Sequence, residues 1–316
     1  MTSNPESQLA STVVMVRPVA FQSNPLAAAS NTFMNPQDVP ADEEQSRAVT
    51  EFDGVVAALR EAGVNVIVVD DLLEPHTPDA IFPNNWMTTH MSGCVVLYPM
   101  QVPNRRGERR SDIIDDLASK HGFRVADVID LSPHEARGEY LEGTGSLVLD
   151  RIHQIAYACL SPRTHIDVLG EFAQRLDYEV VAFDAVDPDG EPIYHTNVMM
   201  NVGDVFAVIC DESIRRQDQR AAVLRSLEQT GHEIIRITYE QMLSMAGNML
   251  EIQSVDGEPL MAMSQRAHNA LTAAQIRSIE AHARIVSAPI DHIEDSAGGS
   301  VRCMLAEIHL PMRDAQ

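Results

Sequence analysis

The stretch AGGSVRC (297–303) ends in a thiol, and Cys303 is the first candidate for chemistry in this chain. A cysteine becomes a nucleophile where a base and an electropositive setting favour its thiolate. His195 can supply the base. It lies in IYHTNVMMNV (193–202), immediately before a strongly apolar strand, where its ring can sit at the mouth of a core cavity or serve as ordinary structural packing. Glu142, in YLEGTGSLVL (140–149), precedes Gly143 and Gly145 and then another apolar strand. Its glycines mark either a tight turn or a close backbone approach to a ligand, with the carboxylate aimed inward. Asn84 and Asn85 stand beside the only tryptophan in PDAIFPNNW (78–86), and Asn197 follows His195 by two residues. Asn84 reads as a surface turn residue. Asn197, entering an apolar strand, must find hydrogen-bond partners or destabilise the fold.

Other chemistries find less support. EGTGSL lacks the dinucleotide-binding glycine spacing, and the chain has no phosphate-loop, H-E-x-x-H or G-x-S-x-G motif. Asp291, His292, Glu294 and Asp295 lack helical metal-ligand spacing and read as a solvated loop. Cys94, Cys159, Cys210 and Cys303 are scattered without a C-x-x-C pair, so they read as reduced thiols. Of the 12 histidines, His121, His232 and His268 read as surface groups.

The elements that must position these residues repeat five times. GVNVIVVD (63–70), GFRVADVID (122–130), DYEVVAFD (177–184), GHEIIRIT (231–238) and ARIVSAPI (283–290) are short and β-branched, as buried strands are. Each follows a helical pattern; in 48–62, Val49, Phe52, Val55, Val56 and Leu59 share one face. Ahead of the helices lie further apolar strands, among them TVVMVRP (12–18), GCVVLYP (93–99) and VMMNVGDVFAVIC (198–210), the last with a hairpin at NVGDVF and Gly203 expected at positive φ. The unit is strand–strand–helix–strand at a period of roughly 50–60 residues, the signature of radial or stacked repeats. An open doubly wound sheet also alternates strands and helices, but the hairpins between helices favour the radial arrangement. The expectation is a single α/β domain over 1–316, with the polar, Pro- and Asn-rich segment 21–45 as a candidate lid loop.

The formal net charge is −23, which argues against nucleic acid or an anionic membrane as partner. No apolar run approaches ~18 residues, and MTSNPESQLAS shows no apolar leader, so the expected location is cytoplasmic.

Taken in order, PDAIFPNNW, LEGTGS, LSPRT, YHTN and GGSVRC resemble the guanidine-modifying amidinotransferase superfamily, the pentein fold. That resemblance implies a pseudo-fivefold, five-bladed α/β propeller, in agreement with the repeat count. It is strongest to the bacterial citrulline-utilisation hydrolases of the arginine-deiminase-related branch. It implies Cys303 as nucleophile, His195 as general acid/base, Glu142 as organiser of histidine and substrate, and Arg163 as the grip on the substrate α-carboxylate. Arg163 otherwise reads as a surface residue at a helix start. It also implies no metal or organic cofactor and a small amino acid as partner; a homodimer is compatible with the sequence, which does not itself set the oligomeric state.

Departures from the pattern bear on the substrate. Guanidine-specific members carry Asp where this chain has Asn85 and Asn197. An amide offers one acceptor and two donors, which suits a neutral ureido group. Two absent anions remove Coulomb attraction for a buried cation. Succinylarginine dihydrolases also use amides there, and Thr144 replaces a motif glycine. The expected reaction is hydrolysis of L-citrulline to ornithine, CO2 and ammonia. Asn84, Asn85, Asn197 and Gly299 would line the substrate, and N–H groups near Gly298–Ser300 would hold oxyanion charge. Hydrolysis of arginine or a substituted arginine, or amino-acid binding without turnover, are the alternatives.

Overall fold

The computed structural model describes residues 7–36 and 38–313. The middle strand of each repeat is an almost unbroken apolar run, the composition expected of a strand covered on both faces. In blade I, β1 (Thr12–Arg17) leads through the helix Ala41–Glu61 to β2 (Asn65–Asp70). Blade II comprises β3 (Met87–Thr89), β4 (Cys94–Leu97), the helix Ser111–Ser119 and β5 (Asp127–Asp130). Blade III has β6 (Val148–Asp150), β7 (Ile155–Cys159), the helix Ile166–Leu176 and β8 (Glu179–Phe183). Blade IV has β9 (Met200–Val202), β10 (Phe206–Ile209), the helix Gln217–Gln229 and β11 (Glu233–Arg236). Blade V has β12 (Leu250–Gln253), β13 (Pro259–Ser264), helices Gln265–Ala270 and Ala273–Glu280, and β14 (Arg284–Ala288).

In every blade the middle strand pairs antiparallel with the inner strand and parallel with the outer one. The parallel pairing requires a crossover, and the helix supplies it. Five three-stranded sheets result. Their inner strands meet around the axis, β6 against β9 and β9 against β12. The inner strand of blade I comes from the far end of the chain. There β15 (Ala306–Glu307) pairs with β1 through Val13↔Glu307 and Val14↔Ala306, and it packs on β3. This closes the ring and makes the fold a five-bladed α/β propeller.

The crossover helices follow the expected faces. Phe52, Val55, Val56 and Leu59 are buried, with Ala48 rather than the half-buried Val49 completing the stripe. Several local expectations fail for identifiable reasons. Residues 41–45 belong to the first crossover helix, so the irregular segment is shorter than 21–45 and contains a helical turn at Pro25–Ala28. Val301 does not continue a strand; Val301–Met304 is a helical turn before β15. The acidic stretch Asp291–Ala297 is a helix with His292 and Glu294 buried, not a solvated loop. His232 is buried too, its Nε2 on the Gly203 carbonyl. Gly203 is outside the positive-φ region; its hydrogen instead leaves room for the Glu251 carboxylate. No helix of the described residues is long and apolar enough to cross a membrane.

Candidate active site

A short turn precedes each inner strand, and the five turns converge on the axis. They are Pro83–Asn85, Gly143–Ser146, Thr196–Val198, the turn at 244–247, and Val301–Met304. Close approach is possible because side chains are missing where backbones meet. A Cβ on Gly143, whose φ is +43°, would strike the Asn84 carbonyl, and one on Gly145 would strike Asn85 Nδ2 and the His195 ring. Gly145→Ala is therefore expected to displace both residues and lower turnover by more than about 100-fold. Measurement of kcat together with circular dichroism checks this, since the fold should persist.

The turns bring together most of the residues singled out from the sequence. Asn85, Arg163, His195, Gly299 and Cys303 line one cavity, and each site side chain among them is almost wholly buried. Glu142 lies directly behind it, with no exposed surface. His195 Nε2 is 2.8 Å from Glu142 Oε2. Arg163 Nη1 approaches the same oxygen at 3.4 Å, and the Gln101 backbone N–H donates to Oε1 at 2.9 Å. Burial alone would raise the Glu142 carboxyl. Arg163, the His195 bond and Arg105 outweigh it and hold Glu142 well below the ordinary carboxylate range. Burial pushes His195 down to about 4, against the pull of Glu142. An ionised carboxylate only accepts, so Nε2 carries the histidine hydrogen and Nδ1 keeps its lone pair.

This has a measurable consequence. Unfolded histidine binds a proton near pH 6.5, whereas folded His195 does so near 4. Between those values the unfolded state holds more protons, so this group's contribution to stability falls as pH drops from 6.5 towards 4, by up to about 1.4 kcal/mol per unit. The melting temperature of His195→Gln should fall less over that range than that of the wild type.

Several expectations about exposure are corrected. Arg163 is no surface residue. Its guanidinium is 2% exposed, donates to Ser30 Oγ and the Ala27 carbonyl, and lies 5.0 Å from the Tyr194 ring centre. Asn84 is fully buried rather than a surface turn residue, with Nδ2 on Thr144 Oγ1. Gly298 N–H is already engaged by the Glu294 carbonyl, which removes it as an oxyanion donor. Asn197 Nδ2 lies 3.5 Å from Cys303 Sγ.

Three site residues escape the motif reading. Arg105, fully buried, forks onto both Glu108 oxygens at 2.8 and 2.9 Å and donates to Asn85 Oδ1 at 3.0 Å. Asp79, inside the quoted PDAIFPNNW, lies 3.6 Å from Arg105 and accepts from Asn24 Nδ2, while its Oδ1 has no partner among the described residues. Asn248 reaches Cys303 Sγ at 3.2 Å from the turn before β12. A signal for it existed: the repeat assigns such a turn to every blade, and GNMLEI (247–252) is blade V's.

The segment after β1 covers the cavity. Ala27 and Asn31 line it, Asn31 Nδ2 donates to the Ala297 carbonyl, and Phe33 packs edge-on against Tyr194 at 6.0 Å. The free space beneath is about 10 Å³, room for one water at most.

Comparison with known proteins agrees with this architecture. The sequence profile of the family described as N,N dimethylarginine dimethylhydrolase, eukaryotic, matches residues 17–310. No curated protein sequence matches. Apo ArgZ, an arginine dihydrolase from the ornithine–ammonia cycle in Cyanobacteria, superimposes with a TM-score of 0.73 at 17% identity, over 96% of this chain and 41% of that one. The present chain thus spans less than half of that protein's length. The N-terminal domain of ArgZ, as a cysteine-to-serine variant bound to substrate, gives 0.72 at 17%, over 96% and 99% of the two chains. A dimethylarginine dimethylaminohydrolase variant, as an adduct with S-methyl-L-thiocitrulline, gives 0.64 at 15%, over 95% and 100%. These likenesses establish a shared fold. With the family profile extending over nearly its whole length, the chain belongs to the dimethylarginine dimethylhydrolase family of hydrolases, within the guanidine-modifying pentein superfamily.

Proposed function

We propose that this protein is a cysteine-dependent hydrolase that converts L-citrulline to ornithine, carbon dioxide and ammonia. One observation carries the choice of substrate. Arg105 can only donate, so Asn85 must turn Oδ1 towards it, and its Nδ2 is left without a partner. Asn197 has its Nδ2 at the sulfur, and its Oδ1 is left without a partner. Asn85 lines the cavity and Asn197 touches the sulfur, and we read the pair as offering the substrate one donor and one acceptor. A ureido group presents one carbonyl acceptor and N–H donors, and satisfies both. A guanidinium presents donors only and would leave Asn85 Nδ2 unmatched in a buried site, a loss of about 1–3 kcal/mol.

The remaining polar groups suit an amino acid. Arg163 can hold the α-carboxylate through its planar fork once Ala27 and Ser30 of the covering segment move aside. Asp79 Oδ1 is free for the α-ammonium. In the reaction, His195 Nδ1 takes the thiol proton and the Cys303 sulfur bonds to the ureido carbon. Collapse of the adduct breaks a C–N bond, and His195 gives its proton to the departing nitrogen. His195 then takes a proton from a water that adds to the thioester-like carbon, and the C–S bond breaks to regenerate the thiolate. The carbamic acid formed loses carbon dioxide. Glu142 fixes the imidazole tautomer throughout. The segment 21–36, docked on Arg163 through Ala27 and Ser30, acts as a lid that opens for substrate.

Hydrolysis of arginine or a substituted arginine is the second reading. It is favoured by the likeness to ArgZ and to AgrE in its complex with L-arginine, the latter at a TM-score of 0.73 and 18% identity. Ammonia and ornithine release from citrulline, arginine, dimethylarginine, succinylarginine and agmatine separates the two. Citrulline should be the preferred substrate; turnover of arginine with citrulline inert would replace the proposal by the second reading.

A further inference from the structure

Among the described residues, the hydrogen bonds to the Cys303 sulfur come from two neutral amides. Asn248 Nδ2 lies at 3.2 Å and Asn197 Nδ2 at 3.5 Å. The charged groups nearby are engaged elsewhere. Arg105 is held by Glu108 and Asn85, Arg163 by Ala27, Ser30 and Glu142, and His195 by Glu142. We infer that Asn248 is a catalytic residue whose side-chain amide, with that of Asn197, holds the negative charge on the Cys303 sulfur once its proton has left. The inference rests on the reading of Cys303 as nucleophile and adds what stabilises it.

The placement of Asn248 is built rather than incidental. The residue is fully buried, and its Nδ2 also donates to the Asn197 carbonyl at 3.1 Å, which locks the amide orientation. Gly247 makes the approach possible, since a Cβ there would strike the Val198 carbonyl of the neighbouring turn. The amide serves both protonation states of the sulfur. In the thiol the S–H faces Asn248 Oδ1 at 3.7 Å, and in the thiolate Nδ2–H donates to sulfur. The arrangement matches a neutral substrate. A ureido group carries no positive charge into the cavity, so the protein itself must offset the charge on sulfur. A carboxylate at position 197 or 248 would oppose it.

Alkylation by iodoacetamide at a fixed neutral pH tests this. The thiolate sulfur bonds to the reagent's methylene and iodide leaves, and peptide mass spectrometry locates the label. Loss of a hydrogen bond to a charged group should slow labelling of Cys303 in Asn248→Ala by roughly tenfold, and a carboxylate in Asn248→Asp should slow it by roughly 100-fold. In both, kcat should fall in parallel while KM for citrulline stays within about threefold, a split that loss of packing alone would not give. If Asn248→Asp does not fold, Asn248→Ser, which keeps a donor, should label faster than Asn248→Ala. Equal labelling rates in wild type and every folded variant would overturn the inference alone. A wild-type Cys303 that labels no faster than Cys94 would overturn the nucleophile reading and this inference with it.

Discussion

Cys303→Ser should lower kcat for citrulline by about 10⁴-fold or more, because a hydroxyl in this site has no route to an anion comparable to the thiolate. The fold should survive, with melting shifted by only a few degrees, since serine nearly matches cysteine in size. Labelling makes the result specific to this thiol. Cys94, Cys159 and Cys210 are buried in the blade cores. Burial pushes Cys159 and Cys210 up to about 12, so both are unreactive thiols at neutral pH. Cys303 is also buried, but it lines the cavity beneath the covering segment, and the proposed opening of that segment would expose it. Haloacetamide should therefore reach Cys303 first, and citrulline should protect it. Uniform labelling of all four cysteines, or retention of turnover in the serine variant, would defeat the catalytic reading and favour a protein that binds an amino acid without turning it over.

The second large effect concerns stability. Arg105 sits among Glu108, Asp79 and Asn85 with almost no exposure. Its removal leaves the buried carboxylates without their cation and Asn85 Oδ1 without its donor. Breaking a buried charge network in this way destabilises by about 3–5 kcal/mol. For a chain of this size that corresponds to a fall in melting temperature of roughly 5–8 °C in Arg105→Ala. Arg105→Lys keeps the charge but loses the two-pronged fork, so it should recover only part of the loss. Thermal melts of the two variants against wild type decide it; a shift under ~2 °C for the alanine variant would show that the cluster does not hold blade II together. Substrate binding should weaken in parallel, because Asn85 loses the partner that fixes its orientation.

The repeat was legible because each blade carries its own two periods, alternation or apolar runs in the strands and helical spacing in the crossovers. The thiol, the histidine, Glu142 and Asn197 stand out because they adjoin such runs, whereas Arg163 and the role of Asn85 come only from the family resemblance. Arg105 was not. It lies in QVPNRRGERR (101–110), where four arginines crowd into ten residues and only packing decides which one turns inward. Arg109 and Arg110 from the same run bond to Glu135 and Asp112 instead. Asn248 was hidden for another reason. Its polar side chain adjoins Met249 and Leu250, so the stretch reads as a strand start, and its partner is 55 residues away. The helix at 291–297 was missed because its first turn has no side-chain cap and its acidic composition resembles a surface loop. Gly203 was assigned to the right turn for the wrong reason: the turn needs space for Glu251, not an unusual backbone angle.

The closing strand has a consequence for how the enzyme comes into being. Asn85, Glu142, Arg163, His195 and Asn248 all precede Cys303 in the chain, and the thiol is seated only when β15 docks on β1. The ribosome therefore delivers Cys303 after the other residues of the candidate site. Until Ala306 and Glu307 find Val14 and Val13, a partly made chain lacks the seated Cys303, and on the proposed mechanism a product broken off before residue 303 is inert. Appearance of activity during refolding should accordingly report the final seam of the ring, in step with burial of Trp86, which packs in one cluster with Ala306, Ile308 and Leu310.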